Sequence, residues 1–365
     1  MRVVITAMLQ SPKFLYHVEA GGETPGSSYS VDSYALASRL SYFLWDTMPD
    51  ATLFRAAADG VLGDQNERER QVDRMLAAPR AREAFGRLHR QWLRVDQLDL
   101  LTKDGASFPS FTPTLALAMK NEVSDFANHV IFEGDRRLET LFTASYTVTS
   151  DPELLAFYGS TTTAADGTHP LDPSQRAGLL TRAAPMAALA SSLEASPIKR
   201  GVFVRKNVLC QALPPPPQAV TPPAVDRNAS TRQRFAQHAA NPACAGCHQL
   251  IDPVGFGFEH YDAIGAYQTT QAGLPIDATG ELTSSDVDGT FDGAVELSTK
   301  LARSQEVSDC VASQWFRFAL DRTPTDQDEC SVQQLRAALS ASGGDLRELI
   351  RAIVASDAFR LARRE

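Results

Sequence analysis

Cys244-Ala245-Gly246-Cys247-His248 is the stretch on which the reading of this chain turns. Two thiols three residues apart lie on one side of a helical turn, where they can add to the two vinyl groups of one haem. The adjacent imidazole then points at the iron. The string reads as a c-type haem attachment site, with Cys244 and Cys247 carrying the thioethers and His248 as the proximal iron ligand. Two covalent bonds fix the macrocycle even in a domain too small to grip it by burial. The fold expected around it is mainly α, with multi-helix domains flanking a loop-rich, c-type cytochrome-like middle region.

Other uses of the same thiols stay open beside this one. Zinc would require two more ligands of matching geometry, and no second C-x-x-C exists. A redox pair of the thioredoxin kind would need βαβ surroundings, which the pattern lacks. The far face of the iron is also open. A methionine downstream of the motif is a common sixth ligand, but the six methionines end at Met186 and all lie upstream. His238, six residues before Cys244, is a possible distal ligand. An iron with no sixth protein ligand would suit peroxide or oxygen chemistry.

Working outward, Thr231 to Ala240 reads as a short helix leading into the motif. Gly255, Gly257, Gly265 and Gly273 mark a loop-rich section after it. Upstream lies the run Pro214-Pro215-Pro216-Pro217 with Pro222-Pro223 behind it, which forces a polyproline II strap. Leu179 to Leu193 is Ala-rich and reads as helix; Gly201 to Leu209 fits helix or strand. The first ~145 residues read as helices. Asp32 caps a stripe of Leu36, Leu40, Phe43 and Leu44, Asp50 caps the next helix, and Pro79 suits a first helical turn. Thr114 to Glu133 forms a longer helix ended by Gly134. The last ~75 residues return to helices. The domain expectation is 1–145 helical, 146–275 loop-rich with the attachment site, and 276–365 helical.

The remaining chemistry-bearing residues are weaker. Cys310 and Cys330 flank a helix and a turn at a spacing compatible with a disulfide. Asp286, Asp288 and Asp292 around Gly289 hint at calcium, but no Glu closes the loop at its twelfth position, so a polar turn is the reading. Lys199 or Arg200 would suit a haem propionate, and the Asp252-Pro253-Val254-Gly255-Phe256 turn would wall the haem edge.

Composition narrows the function. The 365 residues are 43% hydrophobic and 22% charged, enough for packed cores. Lys+Arg 35 against Asp+Glu 44 leaves a net charge of −9 and no basic block, which argues against non-specific nucleic-acid binding. No apolar run reaches the ~20 residues that cross a bilayer. At the N-terminus, Val3 to Leu9 is too short and lacks a small-residue cleavage site, so it reads as a helix entered mid-domain and suggests a truncated start.

Several blocks carry a family resemblance. They are Ser11-Pro12-Lys13-Phe14-Leu15-Tyr16, Ala37 through Trp45, Met48-Pro49-Asp50, Gln91-Trp92-Leu93, Arg176 through Thr181, Ser196 through Gly201, and the cysteine motif with Ile251 through Phe256 and Glu259 through Gly265. Together they resemble the cytochrome-like proteins of planctomycetes and myxobacteria built from the domains of unknown function 1592, 1588 and 1585 in series. Ala319-Leu320-Asp321-Arg322 departs from that family's Ala-Leu-Gly-Arg. The longer members carry a further N-terminal cytochrome-type domain behind a signal peptide.

The resemblance implies covalent haem c, a location outside the cytoplasm (periplasmic or extracellular) and a redox role with a partner protein or electron acceptor. Three functions follow. One is an electron-transfer protein, one a peroxidase- or oxygenase-like enzyme with an open iron, and one a haem-free structural or surface polymer-binding protein.

Overall fold

The computed structural model describes residues 2–15, 28–214, 229–239 and 242–363. Pro215 to Pro217 and Pro222-Pro223 of the expected strap lie outside the described residues, as do the side chains of His238 and Cys244. The chain is mainly α, with four two-stranded antiparallel pairs and no larger sheet among the described residues. It divides into two compact units, one of residues 1–84, 316–335 and 349–365, the other of residues 85–315 and 336–348.

The first unit grows from helices that start where the sequence places caps. The side chains of Asp32, Asp50 and Asp64 accept from the backbone N–H three residues on, satisfying donors that a helix start leaves bare. Ser33–Trp45 buries Leu36, Leu40, Phe43 and Leu44, the stripe that its spacing predicts. The Phe43 ring meets Phe318 and Phe359 at 6.5 and 6.3 Å between centroids. The Trp45 indole donates to the Met75 carbonyl at 2.9 Å while the guanidinium of Arg74 lies 5.2 Å from its ring. Ser28–Ser30 pairs antiparallel with Leu361–Arg363. Arg2–Leu9 is helical, as its apolar spacing suggests, but none of its side chains is buried.

The second unit is organised by buried arginines. Pro113–Asn128 continues through a π-helical turn, His129–Glu133, to the stop at Gly134. From it Glu122 pairs with Arg182 at 2.6 Å, with both side chains almost wholly out of solvent. Thr147 and Tyr158 donate to the same carboxylate, which satisfies a charge that would otherwise be costly to bury. The stretch from Leu179 to Leu193 is not one helix. A 3₁₀ turn at Leu179–Thr181 precedes the short helix Ala183–Ala188, whose first turn accommodates Pro185. Gly201 to Leu209 resolves as helix, Pro197–Phe203 followed by a π turn at Val204–Val208.

Cys310 pairs with Cys210, one hundred residues upstream, and not with Cys330. Cys310 points inward from Gln305–Leu320 and is 1% exposed, whereas Cys330 is exposed with a free thiol. The helix and turn between positions 310 and 330 therefore put the two thiols in unlike surroundings, which spacing alone does not reveal. Asp286 and Asp288 act as caps: Asp286 accepts from Ser304 Oγ and Gln305 N at the start of Gln305–Leu320, and Asp288 from Ser285 N at 2.7 Å. This is the polar turn that the sequence predicts.

Candidate haem attachment site

The cysteine motif opens the helix Pro242–Phe256. Proline at the first helical position costs no hydrogen bond and presets φ, so the motif is held in helical backbone from its start. Cys247 and His248 occupy consecutive positions, both partly exposed. The backbone of Cys244 lies one turn earlier on the same helix.

His248 is oriented by its own helix. Its Nδ1 lies 2.9 and 3.0 Å from the two carboxylate oxygens of Asp252, four residues along. That is the spacing at which helical side chains meet. A carboxylate only accepts, so Nδ1 is the nitrogen that carries the proton, and the lone pair of the neutral ring sits on Nε2. Asp252 is 4% exposed, which keeps this contact out of competing water. Pro253 predicts a turn over Asp252 to Phe256. Instead the helix runs through Pro253 to Phe256, and that continuation puts Asp252 under His248. The i, i+4 spacing of histidine and aspartate was the available signal.

Close backbone contact fixes this helix. A Cβ on Gly255 would stand 2.0 Å from the carbonyl oxygen of Pro197, so Pro197–Phe203 crosses it at glycine distance. On another side Gly280, in the hairpin Thr279–Leu282 with Gly289–Asp292, faces the Pro253 carbonyl, where a Cβ would stand 2.1 Å away. Proline at 253 cannot donate to the carbonyl of Gln249.

Between helix and hairpin lies an open cleft of about 710 Å³, within the size range of small-molecule and cofactor sites. His248, Gln249, Asp252 and Phe256 line it from the helix, Phe291 and Glu281 from the hairpin, and Arg232 from Thr231–Ala239. The Arg232 guanidinium sits 4.4 Å over the Phe256 ring and donates to the Asp277 and Thr279 carbonyls.

Arg200 is not the surface charge that a propionate partner would be. It is fully buried and donates to the carbonyls of Phe258, Tyr261, Asp262 and Met186, tying the loop after the site helix to the helix behind it. Lys199 donates to the Ala190 carbonyl at 3.3 Å.

Three family models match the chain, each described as a protein of unknown function. Residues 31–160 match DUF1592, residues 176–271 match DUF1588 and residues 288–359 match DUF1585. The chain carries these three domains in series. The cysteine motif, Asp252 and Arg200 fall within the DUF1588 segment. Neither the curated proteins nor the solved structures compared with the chain gave a match.

The donor set fits a c-type haem. A cysteine and an imidazole adjoin on one helical turn, a carboxylate holds the imidazole by its Nδ1, and a cleft lined by Phe256 and Phe291 together with acidic and polar side chains stands beside them.

Proposed function

We propose that this chain binds one haem covalently through Cys244 and Cys247, with His248 as iron ligand, and passes single electrons between a donor and an acceptor. The observation that carries the reading is the 2.9 Å contact between His248 Nδ1 and Asp252, since metal-ligating histidines are commonly held through their other nitrogen by a carboxylate. The middle segment matches a model named PSCyt3, cytochrome-associated by its name, which supports the same reading. When bound, the haem supplies a one-electron centre whose potential is tuned by the ligand, its hydrogen bond and the surrounding burial.

The residues of the chain then have separate tasks. Asp252 holds the imidazole plane. Phe256 and Phe291 line the cleft with apolar surface and exclude water from one side. Glu281, Asp292 and Glu296 give the cleft an acidic mouth, so the electron-transfer partner that suits it presents positive charge. The disulfide Cys210–Cys310 supports an oxidising compartment outside the cytoplasm, where c-type haem is also attached.

The test is a pyridine haemochrome spectrum of protein made with a c-type maturation system. A two-thioether haem supports the reading, and Cys247→Ala is expected to lose one thioether and shift the band. Colourless protein, or zinc bound in its place, overturns it. Carbon monoxide titration of the coloured protein separates electron transfer from oxygen or peroxide chemistry: a closed iron resists the ligand and an open one takes it.

A further inference from the structure

Glu259 is a buried acid for which the attachment site by itself gives no reason. It lies three residues beyond the site helix and its backbone N–H donates to the carbonyl of Phe256, a cleft residue, at 3.1 Å. Its side chain is 3% exposed, and its Oε1 has no hydrogen-bond partner among the described residues. Buried carboxylates are normally hydrogen-bonded, and one short of donors is costly to keep ionised, which favours its neutral, protonated form.

The groups facing Glu259 come from two helices and its own loop. From Thr231–Ala239 come Arg232, Arg234 and the hydroxyl of Thr231, which bonds to the carboxyl. From Pro197–Phe203 comes Arg200, whose Nε also lacks a partner among the described residues. Asp262, on the loop itself, faces Arg200. Arg234 is committed to Glu194, and Arg200 to four main-chain carbonyls. The positive charges that would hold Glu259 ionised are therefore shared with other acceptors. Burial, opposed by Arg200, Thr231, Arg232 and Arg234, pushes the carboxyl up to about 7. Arg232 links the two places, because it lines the cleft beside His248 and acts on Glu259.

We infer that Glu259 is a proton-binding site coupled to the iron, taking up one proton from solvent when the iron gains one electron and releasing it when that electron leaves. The inference rests on the haem reading above. The electron comes from a one-electron donor and reduces ferric iron to ferrous; the proton converts the Glu259 carboxylate to the neutral acid, so the summed charge of the two groups is unchanged. A buried carboxylate and an added electron repel each other in a low-dielectric surround, which is the physical reason for the coupling. Glu259 is here a positioning group for charge and makes no contact with iron.

The test is a potentiometric titration of the holoprotein from pH 5.5 to 8.5, reduced with dithionite and reoxidised with ferricyanide. The midpoint potential of the wild type is expected to fall as pH rises through neutrality, by up to a tenfold change in the oxidised-to-reduced ratio per pH unit at fixed potential. Glu259→Gln is expected to be flat over the same range. A flat wild type, or a variant that keeps the slope, overturns the coupling while leaving the haem intact. If the variant does not fold, the redox difference infrared spectrum of the wild type decides: a protonated carboxyl band that grows on reduction supports the coupling, and its absence refutes it. Colourless protein fails the haem reading itself, a result distinct from either.

Discussion

Asp252 holds His248 from within a single helix, four residues along and 2.9 Å from its Nδ1. This contact orients the imidazole from within its own helix. Removing the carboxylate in Asp252→Ala leaves both thiols in place but takes away the anchor of the ring. Added imidazole is expected to displace His248 from the iron about 10- to 100-fold more readily than in the wild type. Visible spectra during imidazole titration read this, and an unchanged midpoint would show that the contact has no part in ligation.

The bond between Cys210 and Cys310 closes a loop that contains the whole candidate site. Cross-linking across one hundred residues removes chain entropy worth about 4–5 kcal/mol from the unfolded state in the loop-entropy model. Cys210→Ala combined with Cys310→Ala is expected to lose stability of that order in urea unfolding, well beyond what removing two small side chains costs. A non-reducing digest should release a peptide pair joined at 210 and 310. A pair joined at 310 and 330 would refute this connectivity.

Local features of the fold were legible in the residues, and long-range ones were not. Asp32 with Leu36, Leu40, Phe43 and Leu44 announces its helix because cap and stripe lie within thirteen positions. The Cys310 partner is one hundred residues away, and no local pattern encodes it. The place of Asp252 was hidden because Pro253 signals a break, and only tertiary contacts at Gly255 and Gly280 explain why the helix continues. The cysteine motif itself was plain; the contact of Asp252 with His248 and the burial of Glu259 were not, since they arise only once the chain is folded.

Asp321 shows how a family departure becomes physical. It follows the helix Gln305–Leu320 with φ at +50°, a left-handed conformation that glycine adopts without strain and that aspartate tolerates better than most residues with a Cβ. Glycine, which the resembled family carries there, is therefore expected to fit better. Asp321→Gly should raise stability by at most about 1 kcal/mol, the relief of the left-handed backbone being partly offset by the entropy that glycine loses on folding, read as a small upward shift in the unfolding midpoint. A loss of stability would mean that the aspartate side chain makes a contact worth more than the strain.

Two buried groups give the second unit opposing pH responses. His89 is fully buried between Trp92 and Trp315, and burial pushes it from 6.5 down to about 4 despite its bond to the Phe85 carbonyl. Unfolding lets it bind a proton, so its contribution is present above pH 6.5 and lost as pH falls through 4. Glu259 runs the other way: raised from 4.5 to about 7, it contributes below pH 4.5 and that contribution is lost as pH rises through 7. Between pH 4.5 and 6.5 the contributions of these two groups oppose each other. Glu259→Gln removes one of them, and the haem-free variant should then gain on the order of 3 kcal/mol in stability from about pH 4 to 6.5. Urea unfolding at fixed pH values measures this, and a level profile in the variant would contradict the opposition.

Gly255 tests whether the crossing of Pro197–Phe203 over the site helix sets the cleft. A Cβ there would stand 2.0 Å from the Pro197 carbonyl oxygen, a backbone atom that no side-chain rotation can move aside. The two helices must then separate, and overpacking of this kind costs about 1–3 kcal/mol. Separation also shifts His248 and Asp252 relative to Phe291 on the opposite wall, so Gly255→Ala is expected to lose both stability and haem incorporation. Gly246→Ala is the control, because a Cβ at that position meets nothing within 4 Å among the described residues. If this control lowers haem yield as much as Gly255→Ala does, the close crossing is not what shapes the cleft.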